Sequence, residues 1–427
     1  METYIRPERS LWAELCRRPS SRNPLVEERV KAIIERVRTG GDAQLQKLSE
    51  EIDGRKIEKL ALGAEDFAEA EAAVSPQVKE AIAVAAANIK AFHLAQKSGA
   101  IEVETCPGVR CIQKPVPIGK VGLYIPGGTA PLFSTVLMLA IPAGLAGCRE
   151  VVLCTPAGKN GKVSPEVLYA AHWCGIGKVY ATGGAQAIAA MAYGTETIPK
   201  VDKIFGPGNQ YVTCAKQLLS RDSVAIDMPA GPSEVMVIAD ADADPRFVAA
   251  DLLSQAEHGR DSQVMLVCND PELAAKVGTQ VQRQAEATDR AELAREALQK
   301  SRCIVFDETG DMVEFAECYA PEHLIINTAN PWAICSCITA AGSVFIGRYT
   351  PESAGDYASG TNHTLPTCGW ARSYSGVNMD SFTRKMTIQE ISREGLEGLA
   401  PTIISMADAE GLRAHADAVR IRLGMKD

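Results

Sequence analysis

The chain has 427 residues, 46% hydrophobic and 23% charged, which is enough apolar material for more than one core and far from the composition of a disordered segment. Its 44 Lys and Arg against 53 Asp and Glu leave a net charge of −9, with no basic run to track a phosphate backbone, so nucleic acid is not an expected partner. The 13 cysteines are odd in number and form no C-x-x-C pair, which points to a reducing cytoplasm rather than to a disulfide framework.

The amino-terminal Met1-Glu2-Thr3-Tyr4-Ile5-Arg6 lacks the basic stretch and apolar run of a secretory signal. The first hundred residues read as helical. Ser75 is a natural N-cap and Pro76 a natural first helical residue for an alanine-rich helix running to about Gln96, in which His93 reads as a packed or surface helix histidine rather than a ligand. After Cys111 short β-branched runs alternate with longer apolar segments, the rhythm of parallel α/β units. Val121 to Cys148 carries no charge and is long enough to span a bilayer. Pro126, Gly127, Gly128, Pro131 and Pro142 would break such a helix, so a loop followed by a buried helix is expected and no membrane partner.

Strands are predicted at Lys120 to Tyr124, Glu150 to Cys154, Lys178 to Ala181 and Asp202 to Phe205. A second block follows at Glu234 to Ala239, Gln263 to Cys268, Arg302 to Phe306, His323 to Asn327 and Ser343 to Gly347. The turn-forming Gly231-Pro232-Ser233 separates the two blocks. Beyond about Phe382 strand signals stop and a polar helical tail is expected.

Loops that follow strands bring backbone N–H groups and helix N-termini together, where ligands bind. Four are glycine-rich: Ile125 to Thr129, Thr182 to Gln186, Gly206 to Asn209 and Pro229 to Ser233; none is a G-x-G-x-x-G fingerprint. Gln255 and His258 are three apart on a helix predicted to begin near Asp244, so an amide oxygen and an imidazole nitrogen could grip one metal ion. Glu322-His323 opens a buried strand, where neighbouring titratable groups could divide acid and base work. Ser353 to His363 is a long polar loop with a carboxylate, Asp356, and an imidazole, His363. Glu410 and His415 sit in the tail, where a solvated helix is the default. No cysteine has an adjacent His or Lys to activate it, so all 13 read as packing residues.

Taken together, Gly-Leu-Tyr-Ile-Pro-Gly-Gly at 122–128, Gly-Gly-Ala-Gln-Ala at 183–187, Phe-Gly-Pro-Gly-Asn at 205–209, Ala-Gly-Pro-Ser-Glu at 230–234, Leu-Ser-Gln-Ala-Glu-His-Gly at 253–259, Ala-Pro-Glu-His-Leu at 320–324 and Gly-Asp-Tyr-Ala-Ser-Gly-Thr-Asn-His at 355–363 resemble the histidinol dehydrogenase family, in order and over nearly the whole chain. The resemblance implies two successive NAD-dependent oxidations of L-histidinol, through the aldehyde, to L-histidine. It implies Gln255, His258, Asp356 and His415 as zinc ligands, with His415 reaching the zinc of a partner subunit in a homodimer with shared sites. His323 is implied as general base and Glu322 as the group that activates water for the second oxidation. Ser233, Glu410 and His363 match the family's substrate contacts, beside the metal ligands and His323. Tyr124, Gln186 and Asn209 match its cofactor contacts.

The fold implied is α/β, with two incomplete Rossmann-like parallel-sheet domains, a small helical terminal arm and an intertwined dimer. Residues 25–115 and 232–380 would form the domain carrying zinc and catalytic residues, 116–231 the NAD-binding domain, and 1–24 with 381–427 the arm. The same scaffold is similar to relatives that oxidise other alcohols, notably a sulfopropanediol dehydrogenase; the carboxylate of Glu410 suits a cationic amine and would repel a sulfonate. Intact Glu322 and His323 speak against a catalytically silent zinc-binding scaffold. Cys368-Gly369-Trp370 is bulkier than the family pattern at the expected pocket rim.

Overall fold

Runs such as Glu234–Ala239 (EVMVIA) and Gln263–Cys268 (QVMLVC) are apolar at nearly every position, the pattern of strands covered on both faces of a parallel sheet. The structure, a computed structural model, describes residues 1–18, 24–127, 131–158, 160–229 and 231–425. Gly128, Thr129 and Ala230, members of two of the glycine-rich loops, lie outside the described residues. The chain forms two units, one of Met1–Gln96 with Ile118–Phe382 and one of Lys97–Pro117 with Thr383–Asp427.

The first unit holds two six-stranded sheets. One has the spatial order Ala61–Leu62, Lys178–Ala181, Glu150–Thr155, Lys120–Tyr124, Lys203–Phe205, Ala225–Ile226, parallel except for the short first strand. The other runs Glu2–Ile5, Arg302–Val305, Gln263–Cys268, Glu234–Ala239, His323–Asn327, Ser343–Ile346, all parallel. In chain order each block is wound 3-2-1-4-5, with one added strand on the same edge, so the two share a topology that their sequences show only as a rhythm. All nine predicted strands of the two blocks are present to within one residue at each end.

Alternation sends neighbouring side chains to opposite faces. Val235, Val237 and Ala239 enter one core and Met236 and Ile238 the other. The uncharged stretch after Val121 forms a strand and the buried helix Phe133–Ala146, and among the described residues no helix is long and apolar enough to cross a membrane. Ser75 caps the helix Pro76–Ala95 as expected, accepting the Val78 N–H at 3.3 Å.

Three expectations are corrected. The helices of residues 24–95 do not pack with 232–380 alone: Val26, Val30, Ile34, Val37, Leu45 and Leu48 pack with Tyr124 and Val152, and Phe67, Ile82 and Ile89 with Val121 and Leu123, on the first sheet, while Asn88 Nδ2 donates to the Ala358 carbonyl at 2.8 Å. Residues 1–18 are not a free arm. Glu2–Ile5 extends the second sheet, and Trp12 packs edge-on against Phe306 and Phe315 at 5.3 and 5.5 Å between ring centroids. The segment after Phe382 is not helical throughout. Thr383–Ile391 pairs antiparallel with Val109–Pro117, which pairs with Ile101–Cys106, and only then do helices Arg393–Ala409 and Arg413–Leu423 follow in the second unit. Most side chains of Thr383–Ile391 are exposed, so this strand lacks the regular apolar alternation that reveals a strand in sequence.

Candidate active site

The carboxyl edge of the first sheet carries the residues matched to cofactor contacts. The central strand Lys120–Tyr124 lies between strands whose connections run in opposite directions, the switch point at which α/β sheets bind ligands. Tyr124 ends that strand, buried, with its hydroxyl accepting the Gly184 N–H at 3.1 Å. Gln186, also buried, donates from Nε2 to Asp53 Oδ2 at 3.3 Å. Asn209 caps the helix Gln210–Leu219, its Oδ1 accepting from the Tyr211 and Val212 N–H groups at 3.0 and 3.1 Å. Between them Gly206 has φ +124°, and a Cβ there would overlap the Tyr124 carbonyl oxygen, so only glycine allows this approach. A buried Lys216–Asp227 ion pair holds the same residue from both sides. Lys216 Nζ donates to the Gly206 carbonyl and Asp227 Oδ2 accepts its N–H, each at 2.8 Å.

The second sheet contributes from its amino edge, opposite to the end that the rule about loops after strands selects. A cavity of about 90 Å³ there is lined by Ser233, Gln255, His258, Glu322, His323, Glu352, Asp356 and His363, together with Leu132, Ser134 and Thr135 at the start of helix Phe133–Ala146 and Pro207 after strand Lys203–Phe205 of the first sheet. A larger cavity of about 620 Å³ lies against the helices Pro271–Ala285 and Ala291–Gln299. Its only charged lining residues are Glu286 and Arg295, and it holds none of the predicted site residues.

Ser233 immediately precedes strand Glu234–Ala239, and Glu322-His323 stands at the mouth of strand His323–Asn327, as read from sequence. Gln255 lies in the last turn of Pro245–Ala256, but that helix ends before His258, which sits in the following turn with its N–H on the Gln255 carbonyl at 3.2 Å. Asp356 is not in a loop: Glu352–Tyr357 is a short helix, and the polar chain continues from it to His363.

One residue, Glu234, fixes both members of the Glu322-His323 pair through its main chain. Its N–H donates to Glu322 Oε2 at 2.7 Å, and its carbonyl lies 3.2 Å from His323 Nδ1. A carbonyl can only accept, so Nδ1 carries the proton. His323 Nε2 has no hydrogen-bond partner among the described residues and lies 3.8 Å from Asp356 Oδ1. Both residues are buried. Burial raises the Glu322 carboxyl above its usual range. Burial also works against charge on His323, but Glu352, Glu322 and Asp356 outweigh it and hold that ring up at about 10.

Glu352 was not singled out in the sequence. Buried beside Ser254, it places Oε1 3.7 Å from His323 Nδ1, and burial, reinforced by neighbouring carboxylates, pushes it up to about 8. Its only sequence signal is Pro351-Glu352, which reads as an ordinary helix start. His363 bonds through Nδ1 to the Asp356 carbonyl at 3.0 Å, leaving Nε2 to accept the Thr135 hydroxyl at 3.1 Å.

The donor set fits a cation. One ligand atom each from His258, Glu352 and Asp356 lie within 4.8 Å of one another, and burial lowers His258 toward the neutral, ligating form against the pull of Asp356. Gln255 is buried, and neither its amide oxygen nor its nitrogen has a hydrogen-bond partner among the described residues. Buried amide groups without partners are costly, and mixed imidazole, carboxylate and amide donors suit zinc or a related divalent ion. Glu410 and His415 belong to the second unit, one at the end of Arg393–Ala409 and the other in the first turn of Arg413–Leu423, both exposed. None of the cysteines, including Cys368, lines the cavity, and neither does Trp370.

Comparison with known proteins shows the family of the chain. The sequence model of the histidinol dehydrogenase family matches residues 16–423. A histidinol dehydrogenase from Bacteroides thetaiotaomicron is 54% identical over 417 residues, 98% of this chain and 97% of that protein. One from Escherichia coli K12 is 52% identical over 413 residues, 96% and 94% of the two chains. The crystal structure of histidinol dehydrogenase from Elizabethkingia anophelis superposes with a TM-score of 0.96 at 49% identity, covering 99% of this chain and 98% of the other. With matched sequence from end to end, the same fold and a buried Glu-His pair beside a cluster of ligating side chains, this chain is an oxidoreductase and belongs to the histidinol dehydrogenase family.

Proposed function

We propose that the protein oxidises L-histidinol to L-histidine through L-histidinaldehyde, passing two hydrides to NAD, as the last step of histidine biosynthesis. The observation that carries the reading is the Glu322-His323 pair, both groups fixed by one peptide residue, with His323 Nε2 unpartnered at the cavity. Nε2 takes the hydroxyl proton as hydride leaves the carbinol carbon. Glu322, made more basic by burial, then takes a proton from the water that adds to the aldehyde, and the hydrated aldehyde gives the second hydride. Atoms balance over the two steps: one histidinol, one water and two NAD+ enter, and one histidine carboxylate, two NADH and three protons leave.

Gln255, His258 and Asp356, with His415 of the partner subunit, would hold zinc; Ser233, His363 and Glu410 complete the substrate contacts. Zinc, when bound, supplies a positive centre that orients the imidazole and amine of the substrate and offsets the carboxylate field around His323. Tyr124, Gln186 and Asn209, at the carboxyl edge of the first sheet, are the cofactor contacts. A homodimer is supported by the second unit, which exposes the large apolar side chains Ile101, Val103, Met406, Leu412 and Ile421 that a second copy would cover. Thirteen free thiols fit a cytoplasmic enzyme.

The division of labour is tested by half-reactions. Glu322→Gln slows oxidation of supplied histidinaldehyde by about 10²-fold or more, the usual worth of a general base, and slows alcohol oxidation much less. His323→Asn impairs both steps. Equal damage to both steps by Glu322→Gln overturns the assignment.

A further inference from the structure

The side chain of Glu234 is 1% exposed and is gripped from a distant part of the sequence. Arg18 donates to it through Nε and Nη2 at 3.0 and 2.9 Å, a bidentate ion pair bridging 216 residues of sequence, and the Cys368 N–H adds a third bond at 2.8 Å. Arg18 is itself held. Its Nη2 also donates to the Tyr319 carbonyl at 2.7 Å, its Nη1 to the Cys16 carbonyl at 3.2 Å, and its guanidinium lies 3.7 Å from the Tyr319 ring centroid. Tyr319 is anchored in turn by its hydroxyl on Gln263 Oε1 at 2.8 Å.

On the side facing strand His323–Asn327 the ladder begins at Val235↔His323, one residue after Glu234. The amide and carbonyl of Glu234 are spent on Glu322 and His323 side chains. The two bonds come from the two peptide groups that flank the Glu234 Cα, so whatever shifts the Glu234 backbone shifts both groups. A buried ion pair is weak evidence of stabilisation, because desolvation offsets most of its Coulombic gain; what this one does is fix an orientation.

We propose that the Arg18–Glu234 ion pair is a positioning device that aligns Glu322 and His323 for proton transfer. The inference rests on the reading that this pair carries the proton chemistry. Neither Arg18 nor Glu234 lines the cavity, and both act through the backbone at the junction of loop and strand.

The test uses the full-length, zinc-loaded protein and the variants Arg18→Met, Arg18→Lys and Glu234→Gln, with kcat and KM for L-histidinol expressed per folded protomer. A misplacement of about 1 Å costs on the order of 100-fold in rate. Arg18→Met and Glu234→Gln are therefore expected to lose about 10- to 100-fold in kcat, with KM and zinc content within about twofold. Arg18→Lys, which keeps the charge but not the fork, falls between them and the parent. If Arg18→Met does not fold, Glu234→Gln, which keeps an acceptor for Cys368, carries the same test. The second readout needs no turnover: the ring Nδ1–H signal of His323 in ¹⁵N-histidine-labelled protein, assigned by its loss in His323→Asn, shifts in both variants. Lower stability with unchanged kcat per folded protomer and an unchanged ring signal overturns the proposal. A parent protein inactive on histidinol would overturn the functional reading instead, while the ring signal still reports whether Arg18 sets His323.

Discussion

Replacing Gln255 by Leu makes the candidate metal site report on itself. Both polar atoms of the Gln255 amide are buried without partners among the described residues. Each such atom costs about 1–3 kcal/mol, so removing both amounts to about 2–6 kcal/mol, of which the altered side-chain shape returns a part. The metal-free variant is expected to be more stable than the parent by about 2 kcal/mol, an increase in Tm of about 2 °C at roughly 1 °C per kcal/mol for a chain of this length. Zinc at 100 times its Kd for the parent adds about 2.7 kcal/mol to the parent. A variant binding it about 100-fold more weakly gains only about 0.4 kcal/mol by the same relation. The advantage of the variant in chelator should therefore vanish when zinc is added. Thermal scans in chelator and across a zinc titration decide it. A variant less stable than the parent without metal shows that the amide is already satisfied; equal stabilisation of both proteins by zinc shows that Gln255 is not a ligand.

Two further tests address electrostatics and assembly. Burial pushes Asp251 up to about 7 from the usual carboxylate range, so its contribution to stability is present below about pH 4 and lost as pH rises through 7. Asp251→Asn should gain on the parent between those limits, by up to about 4 kcal/mol above pH 7, and a gap that does not change with pH refutes this. For the shared site, a heterodimer of one Glu322→Gln chain and one His415→Asn chain should regain about half of the parental activity, since one site then has Glu322 and a donated His415 intact. No recovery in the mixed dimer, when each variant alone is inactive, places His415 in its own subunit's site.

The parallel strands were legible because burial on both faces leaves little but β-branched and aliphatic residues between glycine and proline turns, as in Val235 to Ala239. Thr383–Ile391 was not, since a small antiparallel unit with Arg384, Lys385 and Glu390 on its strand has no buried face to impose alternation. The grouping of residues 24–95 was hidden for another reason. An amphipathic helix declares that it has a buried face but not which sheet covers it. At the site, Glu322-His323 stood out as a titratable pair at a strand mouth, while Gln255 and His258 gained meaning only beside other motifs. Glu352, a lone glutamate after proline, and the Arg18–Glu234 pair, set 216 residues apart, are products of tertiary packing with no local signature.

Four-electron oxidation at the Glu322-His323 site is read from the NADH formed per mole of L-histidinol consumed to completion by zinc-loaded protein, with chelator-treated protein alongside. Two NADH per histidinol, lost on metal removal, is the result predicted. One NADH with the aldehyde accumulating, or no turnover of histidinol while a sulfonated diol is oxidised, would contradict it.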